Sequence, residues 1–204
     1  MQGIPSLPEL RKMNIESLEK ACIEIREFIL NSTSEKAGHL ASSLGVTELT
    51  VALHITLDTP EDVLLWDVGH QAYVHKVITD RADVFKSNRK KNGPSGFPNR
   101  NESNFDSFGV GHSSTALSAL IGFARADVLI NRNRHKVAVV GDGAFTGGMV
   151  YEAMNDAGSK GDDILLIIND NGFAIEENVG ALHDSGEYKK FCTSLGWNFI
   201  DGHI

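Results

Sequence analysis

The chain has 204 residues, 41% hydrophobic and 23% charged, with a formal net charge of -8 and an isoelectric point near 5.4. That balance describes globular material with enough length to bury a full core in one domain. It argues against a nucleic-acid or anionic-lipid surface, so a polyphosphate would need a local device such as a metal ion or a helix N-terminus.

Cys22 and Cys192 form no framework and no C-x-x-C pair, and read as idle reduced thiols in a cytoplasmic setting. The opening MQGIPSLPELRK lacks an apolar signal core, and no apolar run is long enough to span a membrane. The sequons at Asn31 and Asn101 read as chance matches.

In chain order, Asn14 reads as the cap of a helix with Ile15, Leu18, Cys22, Ile25 and Ile29 at helical spacing. A second helix is expected from Leu44 to Leu57, ended by Asp58-Thr59-Pro60. VLLWD (63–67) reads as a short buried strand, Gln71 to Thr79 as helical, and the Asn-, Gly-, Pro- and Ser-rich stretch Lys86 to Phe108 as a long loop. Ser114 to Asn131 carries the stripe Leu117, Leu120, Ile121, Ala124 and Val128 of an amphipathic helix. Lys136–Gly141 reads as a strand, Gly148–Gly158 as a helix and Asp163–Asn169 as a strand, with a last strand expected over Trp197–Asp201. Apolar strands without alternation, separated by helices, predict an α/β fold: an open, mostly parallel sheet covered by helices on both faces.

Ligands of such sheets bind beyond the carboxyl ends of the strands. The chain delivers polar clusters there: Asp67-Val68-Gly69-His70, Gly141-Asp142-Gly143 and Asn169-Asp170-Asn171, with Gly111-His112-Ser113-Ser114-Thr115 opening a helix. Asp142 offers a hard anionic oxygen and Asn171 a neutral one, which suits magnesium that takes its other ligands from phosphate and water. Gly143 lets a diphosphate approach the backbone, and the helix start beyond it adds a favourable dipole. Taken singly, Asp142 could merely cap its helix and Asn171 merely turn the chain. Their occurrence together at the ends of consecutive strands favours the shared metal.

GDG followed by a strand ending in NDN resembles the thiamine-diphosphate enzymes. EKAGHLASSLGVTELTVALH (35–54), WDVGHQAYVHKVITDR (66–81), GVGHSSTALSALIG (109–122), GDGAFTGGMVYEAMNDAG (141–158) and NDN…ENVGAL (169–182) resemble the 1-deoxy-D-xylulose-5-phosphate synthases in order and spacing. Transketolases share the general plan.

The resemblance implies a single diphosphate-binding domain over 1–204, with a helical lead-in at about 1–35 and loops at about 86–108 and 172–190. It implies a cytoplasmic, homodimeric transferase that uses thiamine diphosphate and Mg²⁺. Such an enzyme condenses pyruvate with glyceraldehyde 3-phosphate, releasing CO2, to a precursor of isoprenoids, thiamine and pyridoxal. Residue by residue, it implies Asp142, Asn171 and the carbonyl of Phe173 as metal ligands. His70, Gly111, His112, Ser113, Gly143, Ala144 and Asn171 would line the cofactor, with His39 and His70 as catalytic imidazoles.

His54 and His75 read as packing or surface residues, and Arg89-Lys90-Lys91 as a solvated run. The pattern departs from the family at Gly172-Phe173, in the short stretch 181–190 and at Ile204, where the first domain is still finishing. The resemblance implies that a pyrimidine-binding domain in the same or a second chain supplies the activating glutamate, so that this chain alone does not turn over. Other readings are the amino-terminal subunit of a split transketolase-like enzyme, and a non-catalytic domain of the same fold. Dinucleotide binding is disfavoured because no G-x-G-x-x-G follows the first strand.

Overall fold

A computed structural model of the chain describes residues 4–34, 38–172, 180–181 and 187–202. They pack as two compact units, Met1–Glu61 with Gly69–Gly109, and Asp62–Val68 with Val110–His203.

The first unit is helical. Asn14 accepts the Ser17 N–H at 2.9 Å and so starts α2 (Ile15–Thr33), after a short α1 (Leu7–Leu10). The expected helix over 44–57 is α4 (Thr47–Thr56), which starts three residues later, and a separate short α3 (Leu40–Leu44) precedes it; the Thr47 hydroxyl donates to the Leu44 carbonyl at 2.9 Å where the chain turns between them. The expected 71–79 helix is shorter, α5 (Tyr73–Lys76), and runs into a π-helical turn over Val77–Arg81. Ile25, Ile29, Tyr73, Val74, Ile78 and Phe85 are central to this unit's core. Ile15, at the very start of α2, lies outside it, 76% exposed.

The second unit holds a three-stranded parallel sheet in the order β1-β2-β3: Val63–Trp66, Lys136–Gly141 and Leu165–Asn169. β1 and the apolar part of β2 are buried throughout, as strands covered on both faces must be. After β1 the chain passes through residues 69–109 of the first unit before α6 (Ala116–Leu129) leads into β2, and α7 (Asp142–Phe145) with α8 (Gly148–Lys160) carries it from β2 to β3. Val128, expected on the buried stripe, is 80% exposed in the last turn of α6.

The strand expected over 197–201 does not form. After α9 (Tyr188–Ser194) the chain turns at Gly196 (φ 88°), and the Trp197 indole donates to the Met154 carbonyl at 2.9 Å. That anchors it on α8, not on the sheet. Among the described residues, no helix is long and apolar enough to cross a membrane.

Candidate functional site

In the second unit, strand register decides which residues meet. Gly141 pairs with Asn169 at the end of the β2–β3 ladder, so Asp142 and Asp170-Asn171 leave the sheet side by side. The Asn171 N–H then donates to Oδ2 of Asp142 at 3.2 Å, while the Gly143 N–H donates to Oδ1 at 2.8 Å. Asp142 is buried, and among the described residues no cation pairs with it. A buried carboxylate left with two main-chain donors and no counter-charge is unfavourable unless a cation joins it.

The GHSST loop is fixed to the same strand tips. Asp67, fully buried just past β1, accepts the Ser114 N–H at 2.7 Å and the Ala116 N–H at 2.9 Å, so it caps α6 from outside the helix. These bonds hold Ser114 in the left-handed region (φ 69°), unusual for a residue with a Cβ. The Ser114 hydroxyl donates to the Ala144 carbonyl at 2.7 Å and ties the loop to the GDGA turn. Gly147 makes that approach possible, since a Cβ there would lie 2.0 Å from Ser114 Oγ. Gly111, His112 and Ser113 therefore sit on a loop anchored at both strand tips. His112 is exposed, and its Nδ1 lies 2.7 Å from the Ser113 carbonyl, so Nδ1 carries a proton and donates it there.

In the first unit, His39 precedes α3 and its ring centroid lies 5.7 Å from that of His70, edge to face. Ser43 donates to the His70 carbonyl at 3.0 Å, and Ser42 reaches the same carbonyl at 3.4 Å. Gly38 allows the turn into α3 to pass Tyr73, whose hydroxyl would sit 2.8 Å from an added Cβ. The Phe97 ring lies 6.0 Å from that of His39.

The same unit holds a buried polar chain in which His54 and His75 are packing residues. Thr59 Oγ1 lies 3.0 Å from His54 Nδ1, His54 Nε2 2.8 Å from His75 Nδ1, and His75 Nε2 2.8 Å from Asp106 Oδ1. Asp106 also takes both terminal nitrogens of Arg81. The carboxylate only accepts, so each proton is assigned in turn: His75 donates from Nε2, His54 from Nε2, and Thr59 from its hydroxyl. Burial drives both histidines to the neutral form, His54 the further, although Asp106 pulls His75 the other way. For Asp106, burial opposes ionisation, but His75 and Arg81 outweigh it and hold the carboxyl well below its usual range.

Cys22 and Cys192 are buried free thiols, and burial pushes Cys22 up to about 11, which keeps it unreactive.

Phe173 lies outside the described residues. Among the described residues, no three His, Cys, Asp or Glu side chains cluster as a metal site. Such clusters hold zinc or, where they are carboxylates, calcium and manganese. One carboxylate with neutral oxygens instead suits a hard cation that shares its shell with phosphate and water, so the residues present fit magnesium. The sequence reading did not single out Asp67, Ser114 or Phe97 for a role. Asp67 was legible as a carboxylate at a strand end, whereas an aromatic in a polar loop carries no such signal.

The fold is transketolase-like. A transketolase variant from Pichia stipitis superposes with a TM-score of 0.76 at 18% identity, covering 90% of this chain and 31% of the other. The transketolase of Leishmania mexicana gives 0.69, also at 18% identity, covering 90% and 31%.

Sequence narrows the class. A family model described as 1-deoxy-D-xylulose-5-phosphate synthase matches residues 1–193, and the chain belongs to that family. It is 53% identical over 184 residues to the synthase of Cytophaga hutchinsonii, covering 90% of this chain and 29% of the relative. To that of Azobacteroides pseudotrichonymphae it is 48% identical over 197 residues, covering 97% and 31%. The chain thus spans under a third of the length of the curated relatives it matches.

Proposed function

We propose that this chain binds the diphosphate end of thiamine diphosphate through Mg²⁺, within an enzyme that condenses pyruvate and glyceraldehyde 3-phosphate to 1-deoxy-D-xylulose 5-phosphate with release of CO2. The observation that carries the reading is the junction of Asp142 with Asn171 at adjoining strand tips, a buried carboxylate that accepts two main-chain N–H groups and, among the described residues, has no cation paired with it.

Asp142 and the amide oxygen of Asn171 would hold the metal, with Phe173 as a further ligand. Gly143 and Ala144 offer main-chain groups at the start of a helical turn, and Gly111, His112 and Ser113 would face the same ligand from the anchored loop. When bound, the cofactor supplies the electron sink that lets a 2-oxo acid lose CO2. His39 and His70 would place and move protons at the reacting carbonyl, since imidazole exchanges protons near neutral pH. Pinning the GHSST loop to Asp67 and Ala144 holds Gly111, His112 and Ser113 in place beforehand, which would lower the cost of organising that part of the site. A homodimer, cytoplasmic location and residues beyond these 204 that engage the pyrimidine ring belong to the same reading.

The test is product formation by the full-length protein. Pyruvate and glyceraldehyde 3-phosphate should yield CO2 and the five-carbon ketose phosphate, while residues 1–204 alone should show no sustained release. Efficient use of a ketose phosphate as donor, or sustained CO2 release by the segment alone, would contradict it.

A further inference from the structure

We propose that Phe97 sets donor specificity: its ring forms an apolar wall beside His39, held there by two buried ionic clamps that bracket it in the loop. This rests on the function proposed above.

The loop over 86–108 is rich in Asn, Gly, Pro and Ser, and its glycines lose much freedom on ordering. Nevertheless it is fixed at the second residue before Phe97 and the second after it. On one side, the Ser95 carbonyl accepts from Lys76 Nζ at 2.9 Å, and the Ser95 N–H donates to Glu102 Oε1 at 2.6 Å. Lys76 closes this clamp by donating to Glu102 Oε2 at 2.8 Å. On the other side, the Asn99 N–H donates to Asp106 Oδ2 at 2.6 Å, on the carboxylate that also holds Arg81 and His75. The Ser95 hydroxyl bonds the Phe97 carbonyl itself.

Lys76 and Asp106 have fully buried side chains, and Arg81 is nearly so. Buried ion pairs add little stability compared with apolar residues of the same volume. What they can supply is one unique geometry. Here that geometry belongs to a ring outside the core of its unit, half-buried, with its centroid 6.0 Å from an exposed His39 and not packed into the interior. His39 in turn meets His70 at 5.7 Å. An aromatic wall beside the His39 imidazole favours a small, uncharged substituent, and the methyl group of pyruvate is one. Lys76, Arg81, Glu102 and Asp106 act through Phe97 as positioning residues.

The test compares pyruvate with 2-oxobutyrate, one methylene larger, as donors for the full-length enzyme carrying this segment. Phe97→Ala should shift the ratio of the two kcat/KM values toward 2-oxobutyrate by about tenfold or more, the scale at which a pocket senses one methylene. The KM for pyruvate should rise more than kcat falls, and thiamine diphosphate affinity should stay unchanged. Phe97→Leu, closer in volume and safe for folding, should shift the ratio in the same direction by less. Lys76→Met should also shift it, since it frees Ser95 without touching the ring. An active enzyme whose ratio is unmoved by Phe97→Ala and Phe97→Leu would overturn this inference alone. No pyruvate turnover by the unsubstituted enzyme would overturn the functional reading and this inference with it.

Discussion

The main-chain N–H of Asn171 reaches Oδ2 of Asp142 across 3.2 Å, joining residues from the tips of β3 and β2. Because the donor is backbone, register sets the contact, and it survives loss of the Asn171 side chain. The two side chains are therefore separable by mutation. Asn171→Ala should weaken Mg²⁺-dependent binding of thiamine diphosphate by about 10- to 100-fold, the range for losing a group that serves a metal site, with little change in melting temperature. Asp142→Ala should abolish the Mg²⁺ dependence altogether. Calorimetric titration with and without Mg²⁺ reads both.

Asp67 anchors two main-chain donors at the start of α6. Hydrogen bonds to a charged acceptor contribute about 1.5–3 kcal/mol each, and a buried donor left without one is penalised. Asp67→Ala should therefore lower the unfolding free energy by about 3 kcal/mol, and Asp67→Asn, which keeps one carbonyl oxygen, by less. Urea denaturation gives the magnitude. Faster amide exchange at Ser114 and Ala116 would place the effect at the loop, and unchanged exchange there would contradict the anchoring role.

The buried histidines make stability depend on pH with a definite sign. Both have folded pKa values below the ordinary 6.5, chiefly through burial. The unfolded chain thus binds more protons at mildly acidic pH, and their contribution is full above about 6.5 and lost as pH falls through that value toward the folded pKa. Each can contribute a slope of up to about 1.4 kcal/mol per pH unit. Urea midpoints should fall between pH 7 and pH 5, and His54→Gln should flatten that slope. An equally steep slope in the variant would contradict the neutral pair.

Gly158 packs where nothing larger fits: an added Cβ would lie 1.8 Å from the Leu195 carbonyl. The obstacle is backbone, so the segment after α9 must move. Gly158→Ala should destabilise by about 1–3 kcal/mol despite the better helix propensity of alanine, measurable as a fall in melting temperature and a change in Trp197 fluorescence.

Local signals in the sequence announce much of this fold. The Asn14 cap, the apolar runs of the three strands and the stripe of α6 are each decided by neighbours in sequence, and all appear at or near their expected bounds. What failed depended on single hydrogen bonds that an apolar pattern does not encode, one across the fold and one local. The run over 197–201 has strand-like residues, but the Trp197 indole finds its acceptor on α8. The break at Gly45–Val46 depends on a threonine hydroxyl capturing one carbonyl.

The site divides in the same way. The meeting of Asp142 with Asn171 was legible because each follows an apolar run, whereas the placing of Phe97 depends on hydrogen bonds from Lys76 and Asp106, which lie on either side of it in sequence.

Titration of thiamine diphosphate into the protein with Mg²⁺, and again with the metal chelated, tests the account most directly. The account predicts saturable binding with Mg²⁺ that disappears on chelation and in Asp142→Ala. Equal binding with and without the metal, or no binding under either condition, would contradict it.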